Sequence, residues 1–242
     1  MSDDKPSMRS VRDENGFNQG WSGGHATQLR IERRSDLMIA KMVPDPTRKI
    51  LEIGCGRGEM ARYLATKTGM DVLGIDRSER FMEEASAAPH DSNVRFEVMD
   101  FTRPEQILDR RFDYVVGNGI LHHLYYDLAD SLQAMRSLLN EDGHIMFLEP
   151  NLHNPYVALI FQRPRLRKFA HLEPDEMAFS RRFAINALEK AGFSDVNVEY
   201  RDFLLPGIPD WLIRPSVAFG QFAEGTPGLK HIAQSLFISA RL

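Results

Sequence analysis

Apolar positions along the chain fall into two rhythms. The first is helical. Leu29, Leu37, Ala40 and Met42 stand among charges from Ala26 to Val43, and Pro44 and Pro46 stop that predicted helix. The second is the short continuous run of a strand buried on both faces. Lys49 to Ile53, Asp71 to Ile75, Phe112 to Val116 and Ile145 to Leu148 read this way, and Val94 to Val98 alternates as a strand does. Predicted helices lie between them at Glu59 to Lys67, closed by Gly69, at Glu79 to Ala87 and at Leu128 to Leu139, with Asp142-Gly143 as a turn. Strand and helix alternating over about 150 residues predict a mostly parallel sheet with helices on both faces, an α/β three-layer sandwich. Ligands of such sheets bind beyond the carboxyl ends of the strands, so the residues after each strand carry the functional signal.

Past Glu149 the rhythm breaks. Residues 150–180 and 204–230 are long, proline-rich and apolar, separated by a predicted helix Arg181 to Lys190 and strand Val196 to Tyr200 and followed by a last strand Ile232 to Ala240. Long apolar connections of this kind are usually functional. They are expected to wall a substrate pocket, with packing or dimerisation as the alternative. Residues 1–25 are polar and predict a flexible arm or lid, and 26–242 a single domain.

Composition narrows the picture. The 242 residues are 43% hydrophobic and 26% charged, with a formal net charge of -4, so no basic footprint of a nucleic-acid partner is present. A single cysteine, Cys55, excludes an internal disulfide and fits a reducing compartment. Neither a signal peptide nor a transmembrane run is visible, and a cytoplasmic protein is expected. The basic run Arg163, Arg165, Arg167 and Lys168 admits contact with an anionic membrane surface or an anionic group, or a solvated face. The partner expected is a small-molecule acceptor, the state a monomer or homodimer, and no metal is expected.

The sharpest signal is Glu52-Ile53-Gly54-Cys55-Gly56-Arg57-Gly58, a strand running into a glycine turn before a helix. The dinucleotide fingerprint requires glycine where Glu59 stands, and Glu59 puts an anion where a pyrophosphate meets the helix N-terminus. No Lys-Ser or Lys-Thr follows the glycines, which removes the nucleoside triphosphate loop. An acid, Asp76, ends the second strand and is placed to accept two ribose hydroxyls.

Glu52-x-Gly54-x-Gly56-x-Gly58 resembles motif I of the class I, Rossmann-like S-adenosylmethionine-dependent methyltransferases of small-molecule type. Val98-Met99-Asp100-Phe101, Phe112 to Leu124 and Leu138 to His144 are similar to later motifs of that family, in the same order. The resemblance covers residues 48 to 150 and implies a seven-stranded sheet with its last strand antiparallel. It implies S-adenosyl-L-methionine as cofactor, with S-adenosyl-L-homocysteine as product. It places Glu52 and the backbone of Gly54, Cys55 and Gly56 at the methionine half, Asp76 at the ribose, and Asp100 with the Phe101 amide at the adenine. Arg77 follows as an adenine-packing candidate, and Asn118 and Gly119 lie along the cofactor. Trp21 is a lid residue suited to a cation–π contact with the sulfonium. His122 and His123 fall where the methyl is transferred. Imidazole suits proton removal from a hydroxyl near neutral pH, and look-alike enzymes favour His123 as base, with Glu149 as its partner. Neighbouring residues point apart on a helix or strand, so one of the two histidines is expected to be structural. The expected activity is O-methylation of a small, largely apolar molecule. The alternatives are N-methylation of a small amine and a non-catalytic S-adenosylmethionine-binding subunit.

Overall fold

The computed structural model describes residues 24–103, 110–169, 172, 176–205 and 207–242. In chain order the main elements are α1 (His25–Ile39), β1 (Lys49–Ile53), α2 (Glu59–Thr68), β2 (Asp71–Asp76), α3 (Glu79–Ala87), β3 (Val94–Val98), β4 (Phe112–Asn118), α4 (Leu128–Ser137) and β5 (Leu139–Pro150). They continue with α5 (Pro155–Gln162), α6 (Pro164–Phe169), α7 (Arg181–Lys190), β6 (Ser194–Arg201), α8 (Asp210–Gly225) and β7 (Ser235–Arg241). Two 3₁₀ turns, Leu121–Asp127 and Leu229–Ile232, join β4 to α4 and α8 to β7.

Seven strands form one sheet in the order β3-β2-β1-β4-β5-β7-β6. β7 runs antiparallel to both β5 and β6, and the other pairings are parallel. This is the fold the sequence predicts. The period of two decides the layers. Leu51, Ile53, Leu73 and Val115 face one core, shared with Leu132 and Met135 of α4 and Leu188 of α7. Ile50, Val72, Tyr114 and Val116 face the other, against Met38 of α1 and Leu64 of α2. Burying one leucine such as Leu64 contributes about 1.5–3 kcal/mol, and both faces hold such residues along their length. Order in the middle of the sheet therefore fixes where the strands end.

Two regions differ from the reading of the sequence. β5 starts at Leu139, not Ile145, because Asp142 takes a left-handed conformation (φ 60) and the expected turn becomes an irregularity within the strand. The 204–230 connection is largely helix α8, which tolerates Pro215 in its second turn on an exposed side. Of the apolar residues expected to wall a pocket there, Leu204 and Ile213 pack on Ala26 of α1, whereas Trp211 stands 74% exposed. Among the described residues no helix is long and apolar enough to cross a membrane.

Candidate active site

The chemistry-bearing residues gather at the carboxyl ends of β1, β2, β4 and β5. After β1 the chain turns at Gly54–Gly58. The Cys55 amide donates to the Ile75 carbonyl (3.0 Å) and the Gly58 amide to the Cys55 carbonyl (2.8 Å), which ties the loop to the end of β2. Gly58 caps α2 at φ 74, and a Cβ there would lie 2.3 Å from the Phe96 ring. The tight turn therefore requires glycine. The Cys55 sulfur faces Met82 at 3.9 Å, and burial pushes its thiol up, so its backbone is what it offers a ligand.

Asp76 stands beside this loop. One carboxylate oxygen accepts from the Gly56 amide and the other from the Ser78 amide, each at 3.0 Å. Glu52 lies beneath, 2% exposed. Burial, then the charge of Glu59, raises its carboxyl well above the usual range, against the Ala61 amide that lowers it. Its Oε2 has no hydrogen-bond partner among the described residues. Glu59 is exposed in the first turn of α2, where it opposes a pyrophosphate. The loop, the fixed Asp76 and the orphan Glu52 oxygen fit a polar cofactor without phosphate. They favour S-adenosylmethionine over a dinucleotide.

At the end of β3, Asp100 accepts from the Thr102 amide and hydroxyl (3.0 and 2.6 Å), and Arg77 Nε stands 3.8 Å away. Phe101 is buried in the core. Asn118 ends β4. Its Oδ1 accepts from Arg34 Nη1 at 2.6 Å, and Arg34 in turn donates to Asp202 (2.8 Å) and Ser235. Arg34 is buried, so α1, β4 and β7 meet on one guanidinium. Burial alone would raise the Asp202 carboxyl, but Arg34 and Arg30 outweigh it and hold it below the usual range. Gly119 follows at φ 71, its amide donating to the Leu148 carbonyl (2.8 Å). Trp21 lies outside the described residues.

The next segment differs from the expectation in two ways. Glu149 pairs with His122, not His123: Nδ1 of His122 lies 2.9 Å from Glu149 Oε2. The same carboxylate accepts from the amides of Ile120 (3.0 Å), Leu121 (2.7 Å) and His122 (3.1 Å). The 3₁₀ turn causes this, because its opening amides have no partner within the turn and converge on one anion. The two histidines also do not point apart. Their ring centroids are 4.1 Å apart, since a tightly wound turn does not separate neighbours as a strand does. His123 Nδ1 stands 3.2 Å from Glu176 Oε1, and His122 Nε2 stands 3.9 Å from Glu176 Oε2. Burial, then the charge of His123, lowers the His122 imidazole below its ordinary value, although Glu149 pulls the other way. With Nδ1–H donated to Glu149, the neutral ring turns Nε2 toward Glu176.

Glu176 and Arg34 are the residues that sequence reasoning misses. Glu176 is delivered by backbone: the Met177 amide donates to the His122 carbonyl (3.1 Å) and the Phe179 amide to the Pro150 carbonyl (3.0 Å). Arg167, one of the basic run, donates to the carbonyls of Phe161 (3.1 Å) and Glu176 (3.0 Å), so it braces this segment from inside.

A family model described as a methyltransferase domain matches residues 25–198. The chain is 30% identical over 183 residues to an S-adenosyl-L-methionine-dependent Diels-Alderase of Talaromyces variabilis, covering 71% of this chain and 61% of that protein. It is 30% identical over 127 residues to a ubiquinone biosynthesis O-methyltransferase of Neisseria meningitidis, covering 50% of this chain and 52% of that enzyme. The chain thus spans between half and two thirds of the length of these curated relatives. In three dimensions it resembles a SAM dependent methyltransferase from Archaeoglobus fulgidus, with a TM-score of 0.64 at 18% identity over 93% of this chain and 98% of that one. At that identity the likeness establishes the fold.

Proposed function

The chain belongs to the methyltransferase domain family, S-adenosylmethionine-dependent and of the class I fold, and from that premise we propose that it methylates a hydroxyl oxygen of a small, largely apolar acceptor. The observation that carries this reading is the His122–His123–Glu149–Glu176 cluster, whose histidines come shortly after Asn118 and Gly119 at the end of β4. Bound at the glycine loop, S-adenosylmethionine supplies an electrophilic methyl group on a positive sulfonium.

The chain's own part is placement and proton removal. Asp76 is held by two amides so that its carboxylate accepts from a ribose without reorganising, which is how preorganisation lowers binding cost. Asp100 and the Phe101 amide receive the adenine in this reading, and Asn118 and Gly119 lie along the methionine portion. His123, backed by Glu176, takes the hydroxyl proton. An imidazole paired to a carboxylate is suited to that near neutral pH. His122, locked by Glu149, fixes the wall next to it. Both carboxylates of the cluster are buried, and the His123 ring keeps an exposed edge toward an acceptor.

The test is mass analysis of products after incubation with S-adenosylmethionine and a panel of phenols, aliphatic alcohols and amines. Methyl ethers from hydroxyl acceptors, lost in His123→Ala with cofactor affinity kept, support the reading. Methylated amines with hydroxyl acceptors untouched would replace it by N-methylation. A second reading is favoured by the likeness to the Diels-Alderase: a catalyst that binds S-adenosylmethionine and reshapes its substrate without giving up the methyl. Turnover of an acceptor with no S-adenosylhomocysteine formed would select it.

A further inference from the structure

We propose that His122, His123 and Glu176 form a binding site for one divalent transition-metal ion of the zinc class. The site uses the same cluster that receives the acceptor in the proposed function and rests on that reading only for its role: with an ion bound, His123 is a ligand, and it acts as base only in the metal-free chain.

The donors come first. Two imidazole nitrogens and one carboxylate oxygen are a ligand set suited to zinc, and three protein ligands leave a fourth position open to an oxygen of water or substrate. One ligand atom from each residue falls within 4.8 Å of the other two. His123 Nδ1 stands 3.2 Å from Glu176 Oε1, close to the edge of roughly 3.3 Å that a tetrahedral site with bonds of about 2.0–2.1 Å requires, and His122 Nε2 lies 3.9 Å from Oε2 of the same carboxylate. A simple imidazole–carboxylate hydrogen bond accounts for His123 and Glu176. It does not account for His122, whose Nε2 faces the same carboxylate from 3.9 Å, outside hydrogen-bond reach.

The surroundings supply the rest. Metal-ligating histidines almost always donate their other ring N–H to a carboxylate or carbonyl, which fixes the tautomer and aims the lone pair. His122 does this toward Glu149, and Glu149 is itself immobilised by three backbone amides. The third ligand is placed as firmly, since the Met177 amide is bonded to the His122 carbonyl and Arg167 holds the Glu176 carbonyl. Both carboxylates are buried. Two of the three donors are thus held in place, His122 through Glu149 and Glu176 through its backbone, as a metal centre needs.

The experiment uses the full chain without a polyhistidine tag, stripped with chelator and titrated with zinc sulfate by calorimetry and with cobalt chloride by visible absorption. The expected result is one equivalent bound, with cobalt bands of a low-coordinate nitrogen–oxygen site. Affinity should fall on the order of tenfold or more in Glu176→Gln and in His123→Gln. Replacement of the exposed His90 by Ala should leave it unchanged. S-adenosylhomocysteine is titrated into the same preparations to show that each variant is folded. Zinc bound equally by wild type and both ligand variants, or not bound by a wild type that takes up S-adenosylhomocysteine, overturns the inference. Methyl transfer by stripped protein in chelator would then leave the proposed function standing. Stoichiometric zinc in a protein that methylates no acceptor would sink the proposed function and keep the metal site.

Discussion

Glu149 and His122 share a short contact, 2.9 Å between carboxylate and Nδ1, and the same carboxylate gathers three consecutive backbone amides. One side chain at the end of β5 thus sets both the shape of the turn after β4 and the tautomer of a histidine within it.

Replacing Glu149 by Gln presents an amide NH₂ to donors that now lack an acceptor. Each buried donor left unpaired costs about 1–3 kcal/mol, so Glu149→Gln should lose roughly 2–4 kcal/mol of unfolding free energy. Urea denaturation checks this. A loss under about 0.5 kcal/mol would mean that the carboxylate is not what organises the turn.

The His122 ring has a pKa below its ordinary value in the folded chain, set by burial first and by His123 second. The unfolded ring therefore binds its proton first. Above about pH 6.5 both states are neutral and the term vanishes. As pH falls from there toward the folded value, stability is lost. Histidine NMR of the chelator-stripped chain across this range should show the His122 ring titrating below about 6.5 and changed in Glu149→Gln, with His144, lowered by burial and then by Arg241, as a second low ring that this variant leaves unchanged. Finding every histidine in the ordinary range would contradict the geometry.

Asp202 lies between two guanidinium groups, Arg30 and Arg34, and all three are largely buried. Removing one member of a buried ionic set strands the others, at about 3–5 kcal/mol. Asp202→Asn should therefore cost about that much near neutral pH. Because the folded carboxyl titrates low, the wild-type contribution is complete above the ordinary value of about 3.9 and fades only as pH drops through the folded value. Since Arg34 also holds Asn118, S-adenosylhomocysteine affinity should fall in the same variant. Calorimetry and denaturation on one preparation measure both, and a stable variant with unaltered affinity would refute the linkage.

Local patterns carry most of what the sequence reveals. β1, the glycine turn and Asp76 follow each other at short spacing, and the turn chemistry of Gly54 to Gly58 is written in the residues themselves. The seven-stranded order follows from alternation plus the family resemblance. Glu176 is not legible, because nothing local separates it from Glu173 or Asp175. Long-range backbone bonding of Met177 to His122 selects it. Arg34 is hidden for a similar reason. It reads as one more charge on an amphipathic helix, and only the meeting of β4, β7 and Asp202 makes it buried. The exchange of His123 for His122 as the partner of Glu149 arises from a 3₁₀ turn that periodicity does not announce.

The most direct test of the cofactor assignment is calorimetric titration of S-adenosylhomocysteine into the wild-type chain and Asp76→Ala. Hydrogen bonds to a charged group contribute about 1.5–3 kcal/mol, or roughly ten- to a hundredfold in affinity. Saturable binding by the wild type is expected, weakened by about that factor in the variant while NADH binds neither. Binding of NADH in place of S-adenosylhomocysteine, or equal S-adenosylhomocysteine affinity in both proteins, would contradict it.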